Sequence, residues 1–238
     1  MDNPEYIIAT ENLTKIYDEG AIPVRAVNNV SLKVGKGEFT ALVGPSGSGK
    51  TTLLNLIGGL DYPTDGKVWV NGVEISQMKK SALIDFRLKH IGFVFQAYNL
   101  IPVLTARENI EFVMLLQKRT KEERNRRVKE LLQEVDLLDK MNNRPSELSG
   151  GQQQRVAVAR ALASKPTFIL ADEPTANLDS TTAANLLDTM ARLNHEENMT
   201  FIFSTHDQRV IDRAHRIITL VDGAIAKDEV IATPIDHA

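Results

Sequence analysis

A glycine-rich loop between an apolar run and a helical pattern constrains this chain more than any other feature. The run FTALVG is typical of a buried strand, GPSGSGKT occupies Gly44–Thr51, and a helical pattern begins at Lys50. Glycines let the backbone approach an anion closely, and the first N–H groups of the helix point towards it. A turn that only caps a helix is the alternative. The spacing G-x-x-x-x-G-K-T between a strand and a helix instead predicts a phosphate-binding loop in an α/β fold.

The positions of this loop have distinct predicted roles. The Lys50 ammonium would reach the outer phosphates of a nucleotide, and the Thr51 hydroxyl would bind Mg²⁺. The dipole of the following helix adds positive potential at the same place. The predicted nucleotide contacts in the loop are Gly44, Pro45, Ser46, Gly47, Ser48, Gly49, Lys50, Thr51 and Thr52.

Two adjacent carboxylates lie at the end of an apolar run. Asp172 is the last residue of TFILAD, and Glu173 is the first residue of its continuation EPTANLD. Consecutive residues at the end of a strand diverge, so Asp172 is predicted beside the metal and Glu173 towards an attacking water. Phosphoryl transfer to water needs charge neutralisation and a group that orients or deprotonates the water. The alternative is an Asp that caps a helix beside a solvated Glu.

Composition bounds the class of protein. The chain has 238 residues, of which 42% are hydrophobic and 25% charged, enough for one large α/β domain. A net charge of −3 gives no basic footprint, so no nucleic-acid partner is expected. The chain has no cysteine, which excludes disulfides and thiolate metal sites. No apolar run approaches the ~20 residues of a membrane helix. We expect a soluble protein that reaches a membrane only through a partner.

Strand and helix patterns alternate along the chain except in its middle. Strands are predicted near YIIATENL, VRAVNNVSLKV, FTALVG and KVWVNG, and again at TFILAD, MTFIFST and RIITLVDG. The middle is helical, and Val128, Leu131, Leu132, Val135 and Leu138 share one predicted apolar face. Residues 1–238 are therefore predicted to form a single domain. Its α/β core would comprise residues 1–95 and 160–238, with an inserted helical lobe at 96–159.

A second anion cradle is predicted within PSELSGGQQQRVAVARAL. Ser149, Gly150 and Gly151 open a helix there, but no lysine and no metal-binding hydroxyl follow them. Alone it would be a poor phosphate site. It is suited to complete a site formed elsewhere.

These motifs, with STHD after a late strand, resemble the ATPase subunit of ABC transporters over essentially the whole chain. The resemblance implies a P-loop NTPase fold of the α/β class with an antiparallel β subdomain and an inserted helical subdomain. It also implies ATP and Mg²⁺ as cofactors. Ser149, Gly150 and Gly151 of one subunit would close over the γ-phosphate bound by Lys50 of another. That arrangement is an ATP-dependent, head-to-tail homodimer.

Four further residues match positions of the family. Tyr17 would stack on adenine, although an ordinary strand tyrosine is the alternative. Gln96 would sense Mg²⁺ and the water, and His206 would contact the γ-phosphate and orient the catalytic Glu173. Asp179 would belong to the loop that crosses between subunits, and it also suits a helix N-cap.

The text around the motifs is most similar to the lipoprotein-releasing, macrolide-exporting and FtsE-like ATPases. That resemblance implies a separate integral membrane permease and a place on the cytoplasmic face of the inner membrane. The function expected is export or extraction of lipoprotein, peptide or drug. A mechanotransmission ATPase that controls a periplasmic process without carrying substrate is the alternative. Tyr98, Leu100 and Ile101, with Phe112 and Met114, would line the permease groove or belong to the core of the helical lobe.

Overall fold

Two sheets of different kind make up the fold. A computed structural model describes residues 6–18 and 23–231, and the rest of the predicted domain lies outside that description. The strands are β1 (Tyr6–Tyr17), β2 (Val24–Gly35), β3 (Phe39–Val43), β4 (Asp65–Val70), β5 (Val73–Glu74), β6 (Ile91–Val94), β7 (Phe168–Asp172), β8 (Thr200–Ser204), β9 (Arg216–Val221) and β10 (Ala224–Val230). The helices are α1 (Lys50–Ile57), α2 (Lys80–His90), α3 (Ala106–Leu116), α4 (Lys121–Glu134), α5 (Gly150–Ala163), α6 (Ser180–Glu197) and α7 (Gln208–Ile211).

The first sheet is antiparallel, in the order β2-β1-β4-β5. Alternate residues of β2, among them Val30, Leu32 and Val34, are buried on one face, as the period of two requires. This face packs on Leu53 and Ile57 of α1. The helix that follows the phosphate loop is thereby held between the two sheets.

The second sheet has the order β10-β9-β3-β8-β7-β6, and it is parallel from β9 through β6. Strands β3, β7 and β8 are buried along almost their whole length, because helices cover both faces of this sheet. The carboxyl ends of parallel strands meet at one edge, where ligands bind in open α/β sheets. The predicted α/β fold with a separate antiparallel sheet is confirmed.

The helical face was predicted correctly except at its end. Val128, Leu131, Leu132 and Val135 are fully buried, but Leu138 is 38% exposed, so its assignment to this face was wrong. Helix α4 ends at Glu134, and Asp136 adopts a left-handed φ of 55° that breaks the helical period. Leu137 takes the buried position instead, with 2% of its surface exposed.

Helix α5 runs without a break across residue 160, where the predicted lobe would rejoin the core. Short 3-10 helices cover Leu138–Lys140 and Pro145–Glu147 ahead of it. Within residues 6–18 and 23–231, no helix is both long and apolar enough to cross a bilayer.

Candidate active site

A cavity of about 840 Å³ opens above the glycine-rich loop at the carboxyl edge of the parallel sheet. All nine predicted loop residues, from Gly44 to Thr52, line it. So do Gln96, Glu173 and His206. Four motifs that are far apart in the sequence therefore meet at one site. The remaining lining residues are Val24, Arg25, Ala26, Ser204 and Asp222.

Two glycines are required for the shape of the loop. Gly49 has φ 98°, and a Cβ there would lie 2.0 Å from the Ala26 carbonyl oxygen. Gly44 has φ 149°, and a Cβ there would lie 2.1 Å from the Leu220 carbonyl oxygen. Any side chain at either position would push the loop away from β2 or β9.

Polar atoms of the loop face inward. The Lys50 ammonium donates to the carbonyl oxygens of Gly44 and Pro45 at 2.8 and 3.0 Å, which holds this charge across the loop. The Ser48 hydroxyl is buried and has no hydrogen-bond partner in the described chain. A buried polar atom without a partner is costly, so the loop is built for a polar ligand.

The predicted metal ligands lie together. The Thr51 hydroxyl is 3.1 and 3.0 Å from the two carboxylate oxygens of Asp172, which ends β7. Mg²⁺ prefers oxygen ligands and keeps several waters or phosphate oxygens, so a hydroxyl and one carboxylate suit it. No group of three or more His, Asp or Glu that could hold a metal occurs in the part of the chain that the structure describes. A metal at Thr51 and Asp172 would therefore complete its coordination with waters or oxygens of the nucleotide.

Glu173 has a strained backbone, and within the described chain only one of its two carboxylate oxygens is hydrogen-bonded. Its φ is 46°, in the left-handed region, and its N–H donates to the Ser204 carbonyl at 2.9 Å. Oε1 lies 2.9 Å from Nδ1 of His206. Oε2 is buried and has no partner among the described residues. One oxygen is thus held by the histidine, and the other is buried without a hydrogen-bond partner among the described residues.

Gln96 stands where the chain leaves the sheet for the helical segment. The backbone carbonyl of Gln96 accepts a hydrogen bond from Asn177 Nδ2 at 3.0 Å. Tyr98 and Asn99 both have left-handed φ values, 56° and 50°. Arg160 of α5 donates to both of their carbonyls, to Tyr98 at 2.8 Å. The path of this segment is therefore fixed from α5.

Tyr17 lies beside the cavity but is not among the residues that line it. It pairs in register with Val24, which does line the cavity. Its hydroxyl donates to Asp61 Oδ2 at 2.9 Å.

The second glycine pair, Gly150 and Gly151, is not among the described residues that line this cavity. Ser149 caps α5 in a capping box with Gln152. Asp179 caps α6 by accepting from the N–H and the hydroxyl of Thr182 at 3.0 and 2.6 Å. A Cβ on Gly151 would lie 2.1 Å from Thr182 Cγ2, so the starts of α5 and α6 touch. Neither Ser149, Gly150, Gly151 nor Asp179 is among the described residues that line the cavity.

The hydrogen bonds of Asp207, behind the site, were not predicted from the sequence. The Asp207 carboxylate accepts from the Thr175 hydroxyl at 2.7 Å and from Arg209 Nη2 at 2.6 Å. It joins the loop after Glu173 to the turn after His206. The hydrogen bonds from Arg209 are the main cause that lowers the pKa of Asp207 from its ordinary 3.8 to about 2, against burial, which raises it. The only sequence signal was an acidic residue next to the motif histidine.

Comparison with known proteins decides the family. The model of the family described as ABC transporter matches residues 27–176. This chain belongs to the ABC transporter family. The ABC ATPase is 50% identical over 211 residues to an uncharacterized ABC transporter ATP-binding protein of Thermotoga maritima, covering 89% of this chain and 90% of the relative. It is 45% identical over 232 residues to the lipoprotein-releasing system ATP-binding protein LolD 1 of Chlorobium chlorochromatii, covering 97% and 94%.

A solved structure extends the comparison to the fold. The ABC ATPase superimposes on MJ0796 of Methanocaldococcus jannaschii, solved as a dimer in a post-hydrolysis state with ADP and Pi, with a TM-score of 0.89. The two are 43% identical, and the alignment covers 95% of this chain and 99% of that one. The ABC ATPase is the ATP-binding subunit of an ABC transporter, and its recognition as a relative of LolD is confirmed.

Proposed function

We propose that this ABC ATPase couples ATP hydrolysis to a separate integral membrane permease that exports or extracts lipoprotein, peptide or drug from the inner membrane. The observation that carries the hydrolytic step is the Glu173–His206 pair at the mouth of the phosphate loop, with one carboxylate oxygen unpaired. The similarity to LolD 1 along almost the whole chain supports the transport class.

Glu173 is proposed as the group that handles the water. Its carboxylate accepts a proton from the water whose oxygen bonds to the γ-phosphorus. The bond from that phosphorus to the bridging oxygen breaks, and ADP leaves with the electron pair. His206 holds Oε1 and so fixes the direction of the Glu173 carboxylate, and it contacts the γ-phosphate.

The loop binds the substrate during this step. Lys50 exchanges its carbonyl partners for the outer phosphates, a charge-assisted contact. Tyr17 stacks on the adenine, and Gln96 reports to the helical lobe whether the site is filled. Thr51, Asp172 and Gln96 would hold Mg²⁺, which when bound neutralises phosphate charge.

The working form is proposed to be an ATP-dependent homodimer. Ser149, Gly150, Gly151 and Asp179 lie away from their own cavity, and the helix start at Ser149 presents N–H groups with no lysine. They therefore suit the γ-phosphate held by the other subunit, and the related MJ0796 was solved as a dimer. In this proposal residues 96–159 form the lobe that carries Ser149, and 1–95 with 160–238 form the core.

The permease is proposed to dock in a groove between core and lobe, and the ATPase to sit on the cytoplasmic face of the inner membrane through it. This groove of about 400 Å³ has apolar walls that include Leu60, Ile84, Phe93, Val113 and Leu116. Of the residues predicted to line the groove or to belong to the lobe core, Met114 is buried in the core. Leu100 also packs on that core, whereas Phe112 is exposed.

Glu173→Gln tests the hydrolytic proposal. The variant should bind ATP, hydrolyse it more than ~100-fold more slowly, and accumulate as a dimer, because the proton acceptor is lost. Phosphate release and size-exclusion chromatography with ATP measure both effects. Glu122→Gln, on the exposed first turn of α4, is the matched control and should turn over normally. Turnover near the unmodified rate in Glu173→Gln would remove Glu173 from this role.

The membrane partner is identified by co-purification and then reconstituted with the ATPase in vesicles. ATP-dependent release of lipoprotein or peptide, absent with Glu173→Gln, supports transport. ATP hydrolysis stimulated by the partner with no cargo leaving the vesicle would favour the mechanotransmission alternative.

A further inference from the structure

A charged cluster holds Tyr17 at the end of β1 in the antiparallel sheet. Lys15 and Tyr17 are two residues apart on β1, so their side chains share one face of the strand. Both reach Asp61, which follows α1. The Lys15 ammonium lies 2.8 Å from Asp61 Oδ1, and the Tyr17 hydroxyl donates to Oδ2 at 2.9 Å. One carboxylate therefore fixes both side chains.

Lys15 also contacts the face of the tyrosine ring. Its ammonium lies 4.9 Å from the Tyr17 ring centroid, within the range of a cation–π contact. It donates in addition to the Tyr62 carbonyl at 2.8 Å, while the Tyr62 N–H donates to Asp61 Oδ1 at 2.7 Å. The ring is thus held at its hydroxyl and over one face.

The cluster of Lys15, Tyr17 and Asp61 is charged, and helix α1 connects it to the phosphate loop. Burial alone would raise the pKa of Asp61, but hydrogen bonds from Lys15, Tyr17 and the Tyr62 backbone lower it. The helix that begins at Lys50 ends at Ile57, and Asp61 follows in the next turn of the chain. Thr64 then pairs with β1, its N–H donating to the Thr14 carbonyl at 2.8 Å. The element that starts at the phosphates therefore ends at the tyrosine.

We propose that Lys15 and Asp61 are positioning residues that hold Tyr17 in the orientation that stacks on adenine. This inference rests on the proposed function, in which Tyr17 binds the base. A ring that is already ordered loses less freedom on binding, which favours affinity.

Asp61→Asn tests the proposal in the full chain. Asparagine keeps the shape of aspartate but has no charge and only one accepting oxygen. It therefore cannot replace the carboxylate that binds both Lys15 and Tyr17. Isothermal titration calorimetry with Mg–ATP should show a Kd raised about threefold to tenfold, the loss expected when one side chain must be ordered on binding. The Kd of inorganic tripolyphosphate, which has no base, should stay unchanged and shows that the phosphate loop is intact.

Asp65→Asn is the matched control. Asp65 lies four residues further on and bonds its own neighbour, the Gly66 N–H, at 2.8 Å. This variant should bind ATP and tripolyphosphate as the unmodified protein does.

A double variant separates positioning from other effects. In the Tyr17→Ala background, Asp61→Asn should change ATP affinity no further, because the residue that it positions is gone. The proposal is overturned if Asp61→Asn leaves ATP affinity unchanged, weakens tripolyphosphate equally, or has its full effect without Tyr17. If Tyr17→Ala alone leaves ATP affinity unchanged, the base-stacking role fails as well, while the hydrolytic role of Glu173 stands on its own test.

Discussion

Replacing Asp207 with asparagine removes the charge that joins the loop after Glu173 to the turn after His206. The carboxylate accepts from the Thr175 hydroxyl and, through both oxygens, from the Arg209 guanidinium. Asparagine is of the same size and can keep one of these bonds. The variant therefore measures the charge rather than the packing.

The lowered pKa of Asp207 sets the size of the expected loss. A change from 3.8 to about 2 corresponds to roughly 2.5 kcal/mol at neutral pH if it is fully expressed. Arg209 is 36% exposed, so solvent screens the pair. We expect a decrease of about 1 kcal/mol in the free energy of unfolding. In a chain of this length that lowers Tm by about 2–4 °C.

The pH dependence follows from the direction of the shift. The folded pKa is below the unfolded one, so the stabilisation is complete above about pH 4 and is lost as the pH falls through about 2. Urea unfolding of both proteins at pH 7, 5 and 3 measures this. The difference between them should be equal at pH 7 and 5 and smaller at pH 3.

Asp212→Asn is the control for this experiment. Asp212 accepts a hydrogen bond from Gln208 in the same segment but forms no ion pair within the described chain, so its loss should stay within about 0.5 kcal/mol. An Asp207→Asn variant that is as stable as the unmodified protein at pH 7 would refute the reasoning. An Asp207→Asn variant that is destabilised by the same amount at pH 7 and at pH 3 would refute it as well.

Three further substitutions test the rest of the site. Lys50→Ala should weaken ATP binding about 10- to 100-fold in calorimetry, because a charge-assisted phosphate contact is lost; unchanged affinity would contradict this. Ser149→Arg should spare ATP binding by the monomer but abolish turnover, and loss of binding itself would place Ser149 in its own subunit's site. Gly151→Ala should lose about 1–3 kcal/mol of stability, because its methyl group would lie 2.1 Å from Thr182 Cγ2. Thr182→Ser removes that carbon and should restore Tm; failure to do so would exclude this clash.

The parts of the fold that the sequence predicts are those in which local signals agree. Strand β7 is a short, continuous apolar run, and α1 starts at the predicted Lys50. Helix α2 was not predicted, because Leu83 is its only buried residue and Lys79 gives no side-chain cap. It is held instead by tertiary contacts, such as the bond from Arg87 to the Gly59 carbonyl at 2.7 Å.

The site shows the same division. The Glu173–His206 pair could be expected, because each residue belongs to a motif with a known order. The hydrogen bond from Tyr17 to Asp61 joins residues that are 44 positions apart in the sequence, and the one from Thr175 to Asp207 joins residues 32 positions apart. No local periodicity signals such bonds. Only the folded arrangement of loops around the sheet edge brings these side chains together.

The left-handed backbone of Glu173 has a consequence for how the protein responds to selection. A non-glycine residue in that region costs about 1–2 kcal/mol relative to glycine. With Glu173 as the proposed acceptor of the water's proton, glycine at 173 would therefore give a more heat-resistant chain that has lost this acceptor. Selection for thermal stability alone would favour that variant, whereas selection for activity retains the strained glutamate. Thermostabilised libraries of this ATPase should therefore hold position 173 fixed.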